Sequence, residues 1–502
     1  IDLHTFFKGV TLDEVGIVPV KVDSGTVIRG TVKYANMDGL VWYELFLKRK
    51  LNIRGIRFIS PTFVINLGTD SIKKSSGKGM QELFGDIISR AKLKRFEIDQ
   101  GSVIVMDPDK EKIKGSFSNL NLIAGEIKTD SELLNHIIPF ELGSLETSLD
   151  SMSYMINKFT RVSSGKLSYT MTGSKVSLND LQMKFVRNWT EVSREMGQQT
   201  DLMEVSLEEI YIEDLETSSS FYSDLDVEAS KIGIRGLLFT DHRDKNMPRP
   251  PDEIKPMFKG MIDAIPVTVK VDTIFLENSA VHYGELVAGK SKPGMLRFED
   301  INGTITKLTT LPEEQKSYKA LEANIRAKLN GHADVSLDLT VPYDREAFHL
   351  KAHVGEMDLT RLNETTGPMV GVELVSGQMN RIQFEMDANE YRSGNKLQFD
   401  YSDLKINVIK EAENHQTHSN SFLSAIANTA VRHHNVPTQG KYLRAEYLSE
   451  RNRYRGPFNF MWKSLSDGMT HIVPGTMVQK ILGVNNTSKK EARKEKKQRK
   501  NK

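Results

Sequence analysis

The sequence predicts a mainly β protein: an elongated, twisted antiparallel β-meander curled into a groove or taco-like sheet, with a few short capping α-helices. Three observations carry this prediction. Apolar and polar residues alternate with a period of two along most of the chain after Leu93, which is typical of strands with one apolar face. Runs rich in Gly, Asn, Asp and Ser separate the alternating segments. Segments with helical spacing are short and few.

The clearest strand pattern is a long hairpin that begins near Gly377 and ends near Ile409. Two alternating runs flank a polar stretch, residues 389–395, which predicts the turn. The alternation changes parity after Tyr401, and one extra residue near Ser402–Asp403 explains the change, so a β-bulge is expected there. The apolar positions of the hairpin include Ile382, Phe384, Met386, Leu397, Phe399, Tyr401, Leu404 and Ile406.

The N-terminal region predicts two strands in residues 1–36 with a turn at Asp23–Gly25. Residues 38–50 have helical spacing, and we interpret them as an amphipathic helix that caps a sheet edge. Two strand segments flank Pro61, and a second helix is expected from Met80 to Ala91.

Two parts of the chain look like repeats. Leu93–Val105 resembles Val271–Tyr283, and each predicts a strand, a polar turn and a second strand. Each is followed by an F-x-x-[LI]-N motif, at Phe117–Asn121 and at Phe298–Asn302. We therefore predict an internally repeated meander in which each unit contacts its neighbours.

The predicted division of the chain follows these patterns. An N-terminal cap with the first strands occupies residues 1–60, and β-groove segments occupy 61–246 and 266–410. A Pro-rich loop and short helix, 247–265, separate the two segments. Residues 411–488 are expected to form a helical, amphipathic region, and 489–502 a basic disordered tail.

Composition excludes several kinds of site. There is no cysteine, so disulfides, thiolate metal sites and cysteine nucleophiles are excluded. Residues 489–502 contain nine Lys/Arg and two Glu, a net charge of +7, which suits anionic lipid headgroups or nucleic acid, or simply keeps a tail soluble. The sequence contains no GxSxG, HExxH or EF-hand pattern. We expect no catalytic residues, no metal and no cofactor, and therefore a protein that is not an enzyme.

The hairpin pattern SGxMNxIxFxM, a turn, then GNKLxFDYSDLKI resembles the C-terminal part of AsmA-like proteins, which are relatives of TamB in the envelope of Gram-negative bacteria. Residues 38–61, DGLVWYELFLKRKLNIRGIRFISP, look like that family's N-terminal helix and strand. Residues 455–468, RGPFNFMWKSLSDG, look like the terminal helix of a Bacteroidetes-type branch. The resemblance covers about residues 1–483.

The resemblance implies a repeating β-groove of the kind found in bridge-like lipid-transfer proteins. It implies a periplasmic location, an inner-membrane anchor absent from this numbering, and phospholipid transport between the inner and outer membranes with the help of an envelope protein partner. Acyl chains are the expected ligand, and no nucleic-acid partner is expected. The residues expected to line the groove are the eight hairpin residues named above together with Met171 and Met183.

The segment after residue 457 predicts amphipathic helices that either lie in a membrane interface or cap the last strand. Its membrane-interface candidates are Phe458, Phe460, Trp462, Lys463 and Leu465. An alternative function is an envelope assembly factor that aids outer-membrane protein biogenesis through β-strand pairing at an open edge. A β-rich enzyme or a carbohydrate binder is a further alternative.

Overall fold

The computed structural model describes residues 9–18, 27–39, 54–67, 93–107, 112–127, 142–216, 226–411, 417–419, 430–438 and 441–474. The fold is mainly β, as predicted. The described residues form 23 strands, five short α-helices and one 3-10 helix. The chain divides into two compact units. The first unit comprises Ile1–Val186, Val205–Arg235 and Pro266–Asp272, and the second comprises Arg187–Glu204, Gly236–Ile265 and Thr273–Lys502.

The first unit is built from strands that mostly pair with their neighbours in the sequence. Its strands are β1 Gly9–Ile17, β2 Val27–Asp38, β3 Gly55–Asn66, β4 Arg95–Met106, β5 Ile113–Gly125, β6 Ser144–Leu149, β7 Ser151–Met155, β8 Thr160–Ser164, β9 Leu167–Thr170, β10 Lys175–Phe185, most of β11 Leu202–Glu213, and β12 Val227–Arg235. Strands β6 and β7 run consecutively along β5, and β8 and β9 run consecutively along β10.

The second unit holds the remaining strands and the helices. Its strands are β13 Leu238–Asp244, most of β14 Val269–Leu286, β15 Gly294–Thr309, β16 Ala320–Leu329, β17 Ala333–Pro342, β18 Ala347–Val354, β19 Met357–Asp358, β20 Val372–Asn389, β21 Arg392–Glu411, β22 Thr417–Ser419 and β23 Ala445–Glu450. Its helices are α1 Trp189–Met196, α2 Phe258–Asp263, α3 Pro312–Tyr318, α4 Asn363–Val370 and α5 Pro457–Ile472, with a 3-10 helix at Leu359–Leu362.

Each unit contains a parallel strand pair, which the predicted antiparallel meander did not include. Strand β4 pairs parallel to β3, and β14 pairs parallel to β13. A parallel pair needs a long crossover connection, and residues 67–94 and 245–268 supply the two connections. The second crossover holds the predicted Pro-rich loop and the short helix α2. Apolar residues alternate in the same way in parallel and antiparallel strands, so the sequence pattern did not reveal the parallel pairs.

Both segments that the sequence predicted as strand, turn and strand are single bent strands, β4 and β14. Gln100 in β4 and Asn278 in β14 have left-handed backbone conformations, with φ of 55° and 47°. The N–H of Gln100 donates to Oδ1 of Asn121 at 3.0 Å, and the N–H of Asn278 donates to Oδ1 of Asn302 at 3.1 Å. Both acceptors are the final residues of the F-x-x-[LI]-N motifs. The two copies therefore share a bulge and the side chain that satisfies it, which supports the predicted repeat.

The predicted long hairpin is formed by β20 and β21. Its turn is tighter than predicted, because only residues 390 and 391 lie between the strands. Oδ1 of Asn389 accepts the N–H groups of Tyr391 and Arg392 at 2.9 and 3.0 Å, which closes the short turn. The predicted bulge is confirmed at Asp403, whose φ is 55°.

Helix α1 was not predicted, although the sequence carries its signals. Oδ1 of Asn188 accepts the N–H of Thr190 at 2.9 Å, and Gly197 ends the helix in the left-handed conformation. Helix α4 was also missed, whereas α2 and α5 fall where helical segments were predicted. The helices predicted in 38–50 and 80–91, and the basic tail, lie almost entirely outside the described residues.

Candidate functional site

One face of the first unit carries apolar side chains on strand after strand. Directly opposed residues of paired strands point to the same face, so the register identifies rows of side chains that share a face. The rows are Val10, Met37, Ile56, Phe96, Ala124 and Leu145; Leu12, Ala35, Phe58, Ile98 and Leu122; Gly30, Phe63, Val103, Phe117 and Met152; and Tyr169, Val176, Ile212 and Ile232. We call this surface the apolar face.

A left-handed residue near the middle of many of these strands keeps the apolar residues on one face. In β1 the apolar positions are even-numbered before Glu14 and odd-numbered after it, and Glu14 has φ of 51°. The same change of parity occurs at Ser60, Gln100, Asn119 and Asp180, whose φ values lie between 49° and 55°. An extra residue of this kind bends a strand and increases its twist. The bulges therefore curve the apolar face without interrupting it.

The opposite face of the first unit carries ion pairs and many polar side chains, with apolar exceptions such as Ile59, Val64 and Ile104. Nη2 of Arg57 lies 2.8 Å from Oδ2 of Asp99. Nη1 of Arg235 lies 2.8 Å from Oε2 of Glu209, the residue directly opposite in the register. Because charged side chains keep this face in water, the apolar face is the one available for packing or for binding an apolar ligand.

Most side chains of the apolar face are half-buried. Phe58, Phe63, Phe96 and Phe117 all retain part of their solvent exposure. A fully buried cluster occurs near one end of the strands, where Val10, Ile56 and Leu93 pack with Phe58 and Phe96, whose ring centroids are 5.5 Å apart. Away from this cluster, the apolar side chains contact one another along the rows and keep surface that a ligand could cover.

Met171 and Met183, two of the predicted groove residues, lie in the first unit. Met183 is in β10 on the apolar face, opposite Val162 of β8 and Val205 of β11. Met171 lies in the turn before β10, and its N–H donates to the carbonyl oxygen of Leu145 at 2.8 Å. Both side chains are half-buried.

The hairpin residues lie in a different environment from the apolar face. Seven of the eight are at most 7% exposed in a closed core of the second unit: Ile382, Phe384, Met386, Leu397, Phe399, Tyr401 and Leu404. The eighth, Ile406, is half-buried against the same core. Phe460 and Ile472 of α5 belong to this core. An acyl chain could reach the seven residues only if protein side chains moved away, so they do not support the function proposed below.

The membrane-interface candidates divide between two sides of helix α5. Phe460 is buried and Leu465 packs against the core. Phe458 and Trp462 are exposed on the outer side of the helix. Nζ of Lys463 pairs with Oδ2 of Asp467 at 2.7 Å, one turn along the helix. Among the described residues, no helix combines the length and the apolar character that crossing a bilayer requires.

A cluster of ionisable side chains on β13 and β14 was missed by the sequence analysis. Asp241 lies opposite Tyr283 in the register. Burial, with a contribution from Asp201, raises the pKa of the Asp241 carboxyl to about 7, although Arg243 lowers it. Burial and the carboxylate of Glu285, which accepts its hydroxyl at 2.7 Å, raise the pKa of Tyr283. The signal was the charged run DHRDK at 241–245, which is unusual inside a strand.

This cluster is largely neutralised by its own ion pairs. Nη2 of Arg243 lies 2.6 Å from Oδ1 of Asp201, and Nζ of Lys245 lies 2.7 Å from Oε1 of Glu285. The described residues contain no group of three or more His, Asp or Glu side chains placed to hold a metal ion. Because the pKa of its carboxyl is raised to about 7, Asp241 is a group of this cluster that can exchange a proton near neutral pH.

Comparison with known proteins adds no family assignment. No family model matches the sequence, and no curated protein matches it. Among solved structures, the chain is similar to one titled "Crystal structure of Sex pheromone staph-cAM373 precursor", with 8% identity and a TM-score of 0.12 over 60% of this chain and 83% of that one. A TM-score this low carries no argument about fold or function.

Proposed function

We propose that this protein binds phospholipid acyl chains on the apolar face of the first unit and assists phospholipid transport between the inner and outer membranes of a bacterial envelope. The observation that carries the proposal is the apolar face itself, with its half-buried side chains. The sequence resemblance to AsmA-like proteins supports the proposed envelope location and the proposed role in phospholipid transport. No catalytic role is part of it.

Three features of the first unit favour acyl chains as the ligand. The rows run across successive strands, so a long ligand finds apolar contacts along its whole length. The bulges bend the strands and so favour a concave surface. The side chains that would contact the ligand, such as Phe63, Val103 and Met152, are apolar. Each CH₂ group of the ligand that they bury contributes about 0.8 kcal/mol to binding.

Extraction of the purified protein with organic solvent, followed by mass spectrometry, tests the proposal. We expect phospholipid to copurify in stoichiometric amount. A matched pair of variants locates the binding surface: Phe63→Asp places a carboxylate on the apolar face, and Thr62→Asp places the same carboxylate on the adjacent residue of β3, facing the opposite side. Bound lipid should be lost in the first variant and kept in the second.

A second pair, Phe117→Asp and Ser116→Asp in β5, repeats the comparison on another strand. Circular dichroism of all four variants shows whether they fold. Folded protein that carries no lipid and takes none up from vesicles would contradict the proposal and favour an envelope assembly factor. Equal loss of lipid in both members of each pair would contradict the location of the binding surface.

A further inference from the structure

One end of the second unit gathers exposed apolar side chains from three separate segments. They are Ile254 in the loop before α2, Tyr391 in the β20–β21 turn, Tyr454 in the loop before α5, and Phe458 and Trp462 on α5. Their exposed fractions range from 47% for Tyr454 to 66% for Phe458. We call these five residues the tip surface.

A buried arginine holds the three segments together. Arg451 is 7% exposed, and its guanidinium donates to the carbonyl oxygen of Lys255 at 2.5 Å and to that of Glu390 at 3.4 Å. The N–H of Lys255 donates to the carbonyl oxygen of Arg453 at 2.9 Å. The tip surface is therefore a fixed arrangement and not a set of independent loops.

Aromatic contacts connect the exposed side chains of the tip surface to the segments that Arg451 holds together. The guanidinium of Arg453 lies 5.0 Å from the ring centroid of Tyr391. The rings of Phe258 and Phe458 are 5.3 Å apart and nearly perpendicular. Trp462 follows Phe458 by four residues and so lies on the same side of α5. Tyr391 and Phe458 of the tip surface are thus in these contacts, Trp462 lies one helical turn from Phe458, and Ile254 and Tyr454 are adjacent in sequence to Lys255 and Arg453, which the backbone hydrogen bond joins.

We propose that the tip surface docks on a bilayer surface that contains anionic lipid. Tyr and Trp are the residues enriched at the membrane–water interface, and a short amphipathic helix with Phe and Trp on its outer side is typical of proteins that lie in it. Three basic side chains near the tip surface form ion pairs within the protein: Arg453 pairs with Glu390, Lys255 with Glu253, and Lys463 with Asp467.

The preference for anionic lipid comes from the chain that follows α5. Residues 489–502 carry a net charge of +7, and basic clusters of this kind are attracted to anionic bilayers by about 1 kcal/mol per Lys or Arg near the surface. Aromatic insertion and charge attraction are two weak signals, and two such signals together give stable binding. This proposal does not depend on acyl-chain binding by the first unit.

Cosedimentation of the full chain with vesicles tests the docking. The vesicles contain phosphatidylcholine alone or with about 30 mol% phosphatidylglycerol. We expect binding to the anionic vesicles that weakens with salt. The double variant Phe458→Ser, Trp462→Ser should bind them on the order of tenfold more weakly. Removal of residues 489–502 should abolish the preference for anionic vesicles.

The control variant is Val370→Ser, Val375→Ser, which removes two exposed apolar side chains near the start of β20, at the opposite end of that strand from Tyr391. We expect it to bind like the unmodified chain. Absence of binding to either kind of vesicle, or equal binding by the aromatic double variant, would overturn the proposal. Self-association in sedimentation velocity that the aromatic double variant abolishes, without vesicle binding, would assign the tip surface to a second copy and would also overturn it.

Discussion

The second unit closes its apolar side chains into a core, whereas the first unit leaves a similar surface half-buried. In the hairpin β20–β21, Phe384 is 4% exposed, and residues of α5 belong to the same core. In β3 and β4, Phe58, Phe63 and Phe96 occupy equivalent alternating positions and stay half-buried. The same sequence pattern thus forms a closed core in one unit and a half-buried apolar surface in the other.

The largest expected difference between the units is in the free energy of unfolding after a large-to-small substitution. Phe384→Ala should destabilise the second unit by about 3–5 kcal/mol, because it opens a cavity in a closed core. Phe63→Ala in the first unit should cost less, about 1–2 kcal/mol. Hydrogen exchange in urea, resolved by peptide, measures the two units separately. Equal costs would contradict the contrast between a closed and a half-buried surface.

A glycine substitution tests how tightly α5 covers the core. A Cβ at Gly468 would lie 2.2 Å from Oη of Tyr447, whose hydroxyl donates to the carbonyl oxygen of Ser464 at 2.6 Å. Gly468→Ala should therefore destabilise the second unit by about 1–3 kcal/mol, although alanine favours an exposed helix.

The matched control is Gly16→Ala in β1, because a Cβ there meets nothing within 4 Å. We expect a change within about 0.5 kcal/mol in the first unit. Denaturant midpoints of both variants give the comparison. A stabilised Gly468→Ala variant would show that α5 does not pack closely on β23.

The Asp241 carboxyl makes the stability of the second unit depend on pH. Its pKa is raised to about 7 in the folded protein, so the folded state binds the proton more tightly than the unfolded state. This stabilisation is complete below pH about 4 and is lost as the pH rises through about 7. Asp241→Asn should remove that loss of stability. Because the carboxyl is partly exposed, the loss is on the order of 1 kcal/mol.

Unfolding in urea at pH 5 and pH 8 measures the effect. We expect the unmodified chain to lose more stability between these values than the Asp241→Asn variant does. Parallel pH profiles for the two proteins would show that the carboxyl is already ionised at pH 5 in the folded state.

The smallest expected effects test the repeat. Asn121→Ala and Asn302→Ala each remove the acceptor for the N–H of a left-handed residue, Gln100 or Asn278. Each variant should lose about 1 kcal/mol, and the two losses should agree because the two bulges have the same geometry. Thermal unfolding of the single variants measures them. A loss in only one would indicate that the motifs play different roles in the two units.

Most strands could be predicted from the sequence, because apolar alternation depends only on which residues face water. The bulge at Asp403 was predicted because the parity of the hairpin changes there. The same change occurs at Gln100 and Asn278, where polar residues were interpreted as turns. The backbone of these residues adopts a left-handed conformation inside a continuous strand, and the sequence pattern of a bulge resembles that of a turn.

The environment of the hairpin could not be predicted. Alternation shows that Phe384 and Phe399 share an apolar face but not what covers that face. The segment after residue 457 was assigned two alternative roles, membrane contact or cap, and in helix α5 Phe460 packs in the core while Phe458 and Trp462 face outward. The parallel pairs and the cluster around Asp241 depend on contacts between distant segments, which periodicity does not report.

Photocrosslinking tests the contrast between the units most directly. The purified chain is loaded with a phospholipid that carries a diazirine on its acyl chain, irradiated and digested. Crosslinked peptides should come from β2 to β5 of the first unit, at residues such as Phe63, Val103 and Phe117. Crosslinks concentrated in residues 382–404, with none in the first unit, would show that the hairpin core opens to lipid and would contradict the account.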